Sequence, residues 1–400
     1  MSPIHTNQTQ RTLAVPLPDS APAGIYVHIP FCRYICPYCD FNVYARQDEL
    51  IPAYVAALER EMATAAEVYP PAGPSPTLFI GGGTPSLLRP EQIAAIIDAA
   101  ARHVGLAPDA EITMESNPDN LSAEYCRDLL AAGVNRLSIG VQSLQAPGLK
   151  VLGRLHGPAG AERAFEAARK AGIDNLSLDF IYGWPGQTPE QWVADLERIL
   201  AWEPEHVSLY ALIIEEGTPY QRAVRRGSLR PVEDDDVAAY YDRAVERLAA
   251  AGWEHYEISN WARQPERRSI HNTIYWQNGR YYGIGAGAHS YLGTTRASNI
   301  RLPARYIEAA ATGGLPRAES EEITPEIAMA ETMMLGLRLL IDGVSARDFQ
   351  ARHGVDLEAR YDEVIDRFAG MGLIERVNDC VRLTPQGAMV SNAVLAEFLP

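Results

Sequence analysis

Three of the chain's five cysteines, Cys32, Cys36 and Cys39, stand within eight residues in the segment HIPFCRYICPYCDF. Thiolates are soft donors, and three of them at C-x3-C-x2-C spacing suit a soft metal. A structural zinc ion wants a fourth ligand nearby. Position 41 is Phe, position 42 is Asn, and Cys126 falls in a stretch with helical spacing. Cys36 and Cys39 alone would make a redox C-x2-C pair. A four-iron cluster is the third reading. Three cysteines leave one of its irons without a protein ligand, where a substrate can chelate the metal and receive an electron directly. Five cysteines so unevenly placed do not make a disulfide scaffold. Cys126 and Cys380 read as small hydrophobes.

The cysteine loop follows the first of a series of short apolar runs. Runs at 25–29, 77–80, 111–114, 136–139, 176–181 and 207–212 read as strands, and Ala/Glu/Leu-rich stretches at 51–68, 90–103, 123–132, 161–171 and 189–202 as helices. Ser122 is placed as an N-cap, and Gly133 and Gly172 stand where left-handed C-caps belong. Six β-then-α repeats predict an α/β fold with a parallel sheet. The apolar character of the runs predicts strands buried on both faces. A doubly wound sheet and a barrel-type curl both fit this periodicity.

Polar residues recur where these strands end. The second run leads into Gly81, Gly82, Gly83 and Thr84, the third into Glu115, the fourth into Gln142, and Asp179 lies in the fifth. Parallel α/β folds gather ligands at the carboxyl ends of their strands. Consecutive glycines let backbone carbonyls approach a ligand amine closely. The guanidinium of Arg154 can fork onto a carboxylate. His28, just before the cysteine loop, reads as a hydrogen-bonding support.

The strings GIYVHIPFCRYICPYCDF, GGGTPS, GVQS, LGRLH and DFIYGWPGQT occur in that order. Together they resemble the radical S-adenosylmethionine superfamily and, within it, the oxygen-independent coproporphyrinogen III oxidase group, from about residue 24 to the C-terminus. The resemblance implies a partial, six-unit (β/α) TIM-like barrel with a lateral opening, followed by a smaller helical C-terminal domain. It implies that Cys32, Cys36 and Cys39 hold a [4Fe–4S] cluster whose unique iron binds the methionine amino and carboxylate groups of S-adenosylmethionine. In that superfamily, electron transfer into the sulfonium releases a 5′-deoxyadenosyl radical. Tyr26, Gly82 and Glu115 match positions around the first S-adenosylmethionine. Gly83, Thr84, Gln142, Arg154 and Asp179 match positions around one or other of two such molecules in the dehydrogenase.

Two departures bear on function. Phe41 stands where the dehydrogenases carry a fourth cysteine, and the first strand begins near residue 24, without the long segment that precedes their barrel. The chain instead contains HNTIYW, from His271 to Trp276. That pattern resembles the HemW subfamily of heme chaperones, which implies a carrier that binds heme and passes it to an acceptor protein. By that reading His271, as a neutral imidazole, is an axial ligand to heme iron, and Tyr275 and Trp276 offer flat apolar surface. His289 is an alternative ligand. The competing reading is an enzyme that oxidatively decarboxylates coproporphyrinogen III, using the same cluster site.

Composition narrows the classes. A chain 47% hydrophobic and 22% charged can bury a globular core. With 51 acidic against 35 basic residues the net charge is -16, which disfavours nucleic acid as a partner. No run approaches the ~18 apolar residues of a membrane span. The first 23 residues, with Arg11 their only basic residue, read as a disordered tail and not a secretory signal, so the expected location is cytoplasmic. The expected divisions are a barrel over 24–230, an extension carrying HNTIYW over 231–324, and a winged-helix-like unit over 325–400. Helices are placed in these last two at 234–251, 326–340, 346–353 and 357–370, with strands at 373–377 and 380–384. A homodimer is a further expectation.

Overall fold

In the computed structural model, which describes residues 21–400, the β-then-α repeats are singly wound. Most of the tail expected over 1–23 lies outside the described residues. The repeats run β1 (Gly24–Ile29), α1 (Ile51–Val68), β2 (Ser75–Gly82), α2 (Pro90–His103), β3 (Leu106–Ser116), α3 (Ala123–Ala132), β4 (Arg136–Gln142), α4 (Gly157–Ala171), β5 (Leu176–Tyr182), α5 (Pro189–Trp202) and β6 (His206–Ala211). Local chemistry sets the boundaries. The Ser122 hydroxyl accepts from the Tyr125 N–H at 3.1 Å to start α3, and Gly133 ends it at φ 107°. Thr188 and Gln191 form a reciprocal capping box at α5. α4 begins four residues before its expected start because Pro158 suits a first helical turn.

The six strands are parallel neighbours in sequence order, from β1 through β6. A doubly wound sheet would reverse direction at a switch point; this order never reverses, so the sheet is the wall of a partial barrel. Six shorter strands flank it, four of them on one edge. β7 (Glu254–Glu257) and β8 (Asn260–Ala262) extend the sheet beyond β6, while β9 (Tyr281–Ile284), β10 (His289–Leu292), β11 (Thr295–Asn299) and β12 (Arg317–Glu322) extend it beyond β1. Six strands are therefore added in all. The full order is β12-β11-β10-β9-β1-β2-β3-β4-β5-β6-β8-β7, and its ends are not paired.

The two faces of the parallel strands differ. Leu78, Ile80, Met114, Leu137, Ile139, Leu178, Phe180, Val207 and Leu209 are buried in one core with helix residues such as Tyr54, Leu58, Ile93, Ile96, Phe165 and Leu196. Each contributes on the order of 1.5–3 kcal/mol by leaving water. The alternate residues, among them Glu115, Arg136, Ser138, Asp179, His206 and Ser208, line a cavity of about 220 Å³ inside the barrel. The strands are buried on both faces as expected, but one of those faces is polar: the residues alternate, and the barrel interior carries the polar set. The sequence runs look apolar because Ser, Thr and Tyr stand at many inward positions.

After α6 (Asp234–Ala250), the helix α7 (Ile270–Trp276) closes the amino-terminal end of the strands. Glu111, early in β3, accepts the N–H groups of Ile270 and His271, both at 3.1 Å. The carboxylate satisfies orphan donors of the helix's first turn. After α8 (Pro303–Ala310), a second core forms from α9 (Pro325–Gly336), α10 (Ala346–His353), α11 (Leu357–Gly370), β13 (Ile374–Val377) and β14 (Cys380–Leu383). A two-residue strand, Val344–Ser345, pairs with β14, so the expected two-stranded ribbon has three strands.

Candidate functional site

The cysteine loop leaves the carboxyl end of β1 and is held on several sides. His28 Nε2 donates to the Asn42 carbonyl at 2.9 Å, since a carbonyl can only accept, and its Nδ1 accepts from the Tyr26 hydroxyl at 2.8 Å. Asn42 in turn donates to the carbonyls of Ala286 and Arg301. The short helix Pro219–Arg225 docks on the loop through the Tyr220 N–H, which donates to the Pro37 carbonyl at 3.1 Å.

The glycine run packs beneath this loop. Gly83 N donates to the Ile29 carbonyl at 2.8 Å, and a Cβ on Gly83 would lie 2.8 Å from the Ile29 and Phe31 carbonyls and 3.0 Å from Cys32 Sγ. Gly82 has φ +110°, and a Cβ there would meet the His28 ring at 2.5 Å. At Gly83 the obstacle is mainly backbone, and at Gly82 it is the hydrogen-bonded His28 ring. The Gly82 N–H donates to Glu115 Oε2 at 2.9 Å, and the Thr84 hydroxyl to Cys32 Sγ at 3.5 Å.

All three loop cysteines are free. Burial raises the Cys32 thiol and pushes Cys39 up to about 11. Both are protonated at neutral pH and must release a proton to bind iron. Arg154, placed after the short helix Ala146–Val151, brings its guanidinium 3.8 Å from Cys36 Sγ and also donates to the Gly140 carbonyl at 2.7 Å and to Asn117 Oδ1. Three thiols and a compensating cation, with no fourth cysteine on the loop among the described residues, fit a cluster with one iron left open. Phe41, at the expected fourth-cysteine position of the dehydrogenases, is 65% exposed.

The remaining expected residues divide into two groups. Tyr26, Glu115 and Asp179 line the barrel cavity. Burial pushes Glu115 up to about 7, and neighbouring Asp179 adds to the rise. Asp179 is raised by burial and partly relieved by Ser138, whose hydroxyl donates to the carboxylate at 2.9 Å. Gln142 ends β4 in a left-handed conformation at φ 67°, rare for a residue with a Cβ, and stands above Gly140 outside the cavity wall.

His271 is the principal correction. It lies at the opposite end of the strands from the cysteine loop and is 1% exposed. Its Nδ1 is 2.8 Å from the Thr77 hydroxyl and its Nε2 is 2.9 Å from the Tyr275 hydroxyl. The ring stacks on Phe79 at 5.1 Å, and burial lowers its pKa to about 3. It is a neutral imidazole, as a ligand must be, but neither nitrogen is open to iron. Trp276 lies against Arg338 at the far end of α7. His289, the alternative ligand, is exposed on β10.

Sequence reading missed Arg136, Ser138, His206, Ser208 and Tyr210, which line the same cavity. Their signal was the parity of each strand: they share alternate positions with Glu115 and Asp179.

Known proteins resemble this chain in sequence and in fold. The model of the radical SAM superfamily matches residues 26–199, and that of the HemN C-terminal domain matches 323–390. The Bacillus subtilis protein named "Heme chaperone HemW" is 40% identical over 376 residues, 94% of this chain and 98% of that one. A Mycobacterium tuberculosis protein of the same name is 38% identical over 387 residues, 96% of each chain. The solved Escherichia coli coproporphyrinogen III oxidase, HemN, superposes with a TM-score of 0.81 at 22% identity, covering 94% of this chain and 90% of the other. That last likeness shows the fold.

Proposed function

The chain belongs to the radical S-adenosylmethionine superfamily and, within it, to the HemW family, and from that premise we propose that it is a heme carrier which passes its cargo to an acceptor protein. Cys32, Cys36 and Cys39 hold the cluster, and when bound the cluster and S-adenosylmethionine supply one-electron chemistry at the carboxyl end of the barrel. Thr84 orients the Cys32 sulfur, Gly82 and Gly83 leave room for the loop and a ligand amine, and Arg154 compensates negative charge beside Cys36. Tyr26, Glu115 and Asp179 offer polar contacts below.

One observation carries the heme reading on this chain. Around the cysteine loop and the carboxyl end of β6, Phe41 is 65% exposed, Leu155 72%, Ile213 66% and Ile35 48%. Large apolar side chains gathered at a functional mouth mark a binding surface. A porphyrin offers the flat apolar face that suits them. The barrel cavity, at about 220 Å³, is smaller than the ~300 Å³ at which ligand pockets begin. The macrocycle therefore belongs on the rim, and His271 would reach it only with α7 withdrawn from the barrel floor. Among the described residues no helix is long and apolar enough to cross a membrane; we place the carrier in the cytoplasm.

The test is a heme titration of anaerobically reconstituted protein, followed at the Soret band. A Phe41→Ser, Ile35→Ser double variant should bind heme at least tenfold more weakly while keeping its iron and sulfide. Equal heme affinity in the two proteins would remove the rim from the reading.

A further inference from the structure

The floor of the barrel holds a guanidinium that no carboxylate among the described residues touches, although the Asp179 carboxylate shares its cavity and feels its charge. Arg136 opens β4 with its side chain inward, 2% exposed, lining the cavity. Its Nε has no hydrogen-bond partner, and among the described residues no carboxylate oxygen stands within ion-pair distance of its guanidinium. The neighbouring polar groups are committed elsewhere. His206 is 2.8 Å from the Ser177 hydroxyl and 2.8 Å from the Tyr256 hydroxyl, and His271 bridges Thr77 and Tyr275. Both imidazoles are neutral, and the charge of Arg136 helps to keep them so. A buried, unpaired guanidinium costs several kcal/mol unless an anion or ordered water meets it.

We propose that Arg136 is the anchor of a carboxylate site at the floor of the barrel cavity, for a small aliphatic carboxylate. The cavity sets the size. A void of about 150 Å³ accommodates a benzene ring, so about 220 Å³ holds roughly nine non-hydrogen atoms. The charges set the class. A carboxylate matches the planar fork of a guanidinium in two parallel hydrogen bonds. Asp179 and Glu115 share the cavity, so a single negative charge is favoured over a phosphate dianion. Ser208 and Asn272 also line the cavity and offer hydrogen bonds to a polar body. Propionate and free methionine both present the required group at a size the cavity admits.

The experiment uses the full chain and thermal melting. Sodium propionate and L-methionine at millimolar concentration should raise the melting temperature of the unaltered protein above an equal concentration of sodium chloride. Arg136→Met should lose that response and, without ligand, melt at or above the unaltered protein, because it removes an unpaired buried charge. A purely structural arginine would behave oppositely: Arg136→Met would melt lower, and propionate would shift both proteins alike or neither. Either result overturns the proposal. Should Arg136→Met fail to fold, Ser208→Leu fills the cavity with Arg136 in place; loss of the propionate response in that variant supports the site, and its retention refutes it. Because propionate alone carries the first test, failure of heme binding would sink the carrier reading without touching this one.

Discussion

Replacing Arg154 by Met should lower the midpoint potential of the cluster. The guanidinium lies 3.8 Å from Cys36 Sγ, in a half-buried position at the barrel mouth. Were the added electron wholly on that sulfur, the lost attraction would be about 4 kcal/mol at an effective dielectric of about 20. Spreading the electron over several irons and sulfides leaves a quarter to a half of this, about 1–2 kcal/mol, or roughly 50–90 mV for a one-electron couple. The sign follows from charge: removing a cation destabilises the more negative, reduced state. The assay is an anaerobic redox titration of reconstituted protein read by EPR, with iron and sulfide determined on the same samples. Arg154→Lys, which retains the charge as a compact ammonium without the planar fork, should fall between the two. A midpoint within about 20 mV of the unaltered protein, at full iron content, would refute the electrostatic role of Arg154.

Gly83→Ala should reconstitute with less than half the iron of the unaltered protein, because its Cβ would press on the Ile29 and Phe31 carbonyls and on Cys32 Sγ; full occupancy by iron analysis would contradict this packing. Glu61 is buried and accepts from Gly285 N at 2.8 Å, Asn299 Nδ2 at 2.5 Å and the Tyr306 hydroxyl at 2.5 Å, yet burial raises it to about 7. With its folded value above the unfolded ~4.3, its contribution is complete below pH ~4.3 and fades as pH rises through 7. The stability difference between the unaltered protein and Glu61→Gln should therefore shrink by about 1–3 kcal/mol from pH 5 to pH 8 in denaturant titrations, and a constant difference would contradict it. His271→Ala breaks contacts to Thr77 and Tyr275 and empties a packed floor, so it should cost about 2–4 kcal/mol and lower the melting temperature by on the order of 4 °C. Its Soret band with heme should persist; disappearance of the band at intact fold and cluster would place heme at the floor instead of the rim.

Much of the barrel was legible because local rules and global packing agree in it. α1, α2, α3 and α5 carry caps or prolines at their expected ends, and their apolar faces bury against the strands they follow. The cysteine loop and glycine run were legible for a different reason: their chemistry tolerates few alternatives, so residue type alone reports the role. Strand parity was legible in principle, yet Ser138, Ser177 and Ser208 made inward positions resemble a buried strand. His271 could not be placed from sequence. Its fate rests on Thr77, 194 residues away, and on Glu111, 160 residues away, which together draw α7 onto the barrel floor. Local pattern carries no trace of such pairings. The added strands β7 to β12 were equally hidden, since they are short and join the sheet at both edges instead of continuing its β-then-α rhythm.

The central claim is that this chain carries heme and does not consume a porphyrinogen. The most direct measurement supplies anaerobically reconstituted protein with heme, then with a heme-free acceptor of higher affinity, and in parallel with coproporphyrinogen III, S-adenosylmethionine and a reductant. The account predicts a Soret band at about one heme per chain, its transfer to the acceptor, and coproporphyrinogen III recovered with all its propionates. Vinyl products from coproporphyrinogen III, in a protein that takes up no heme, would contradict it.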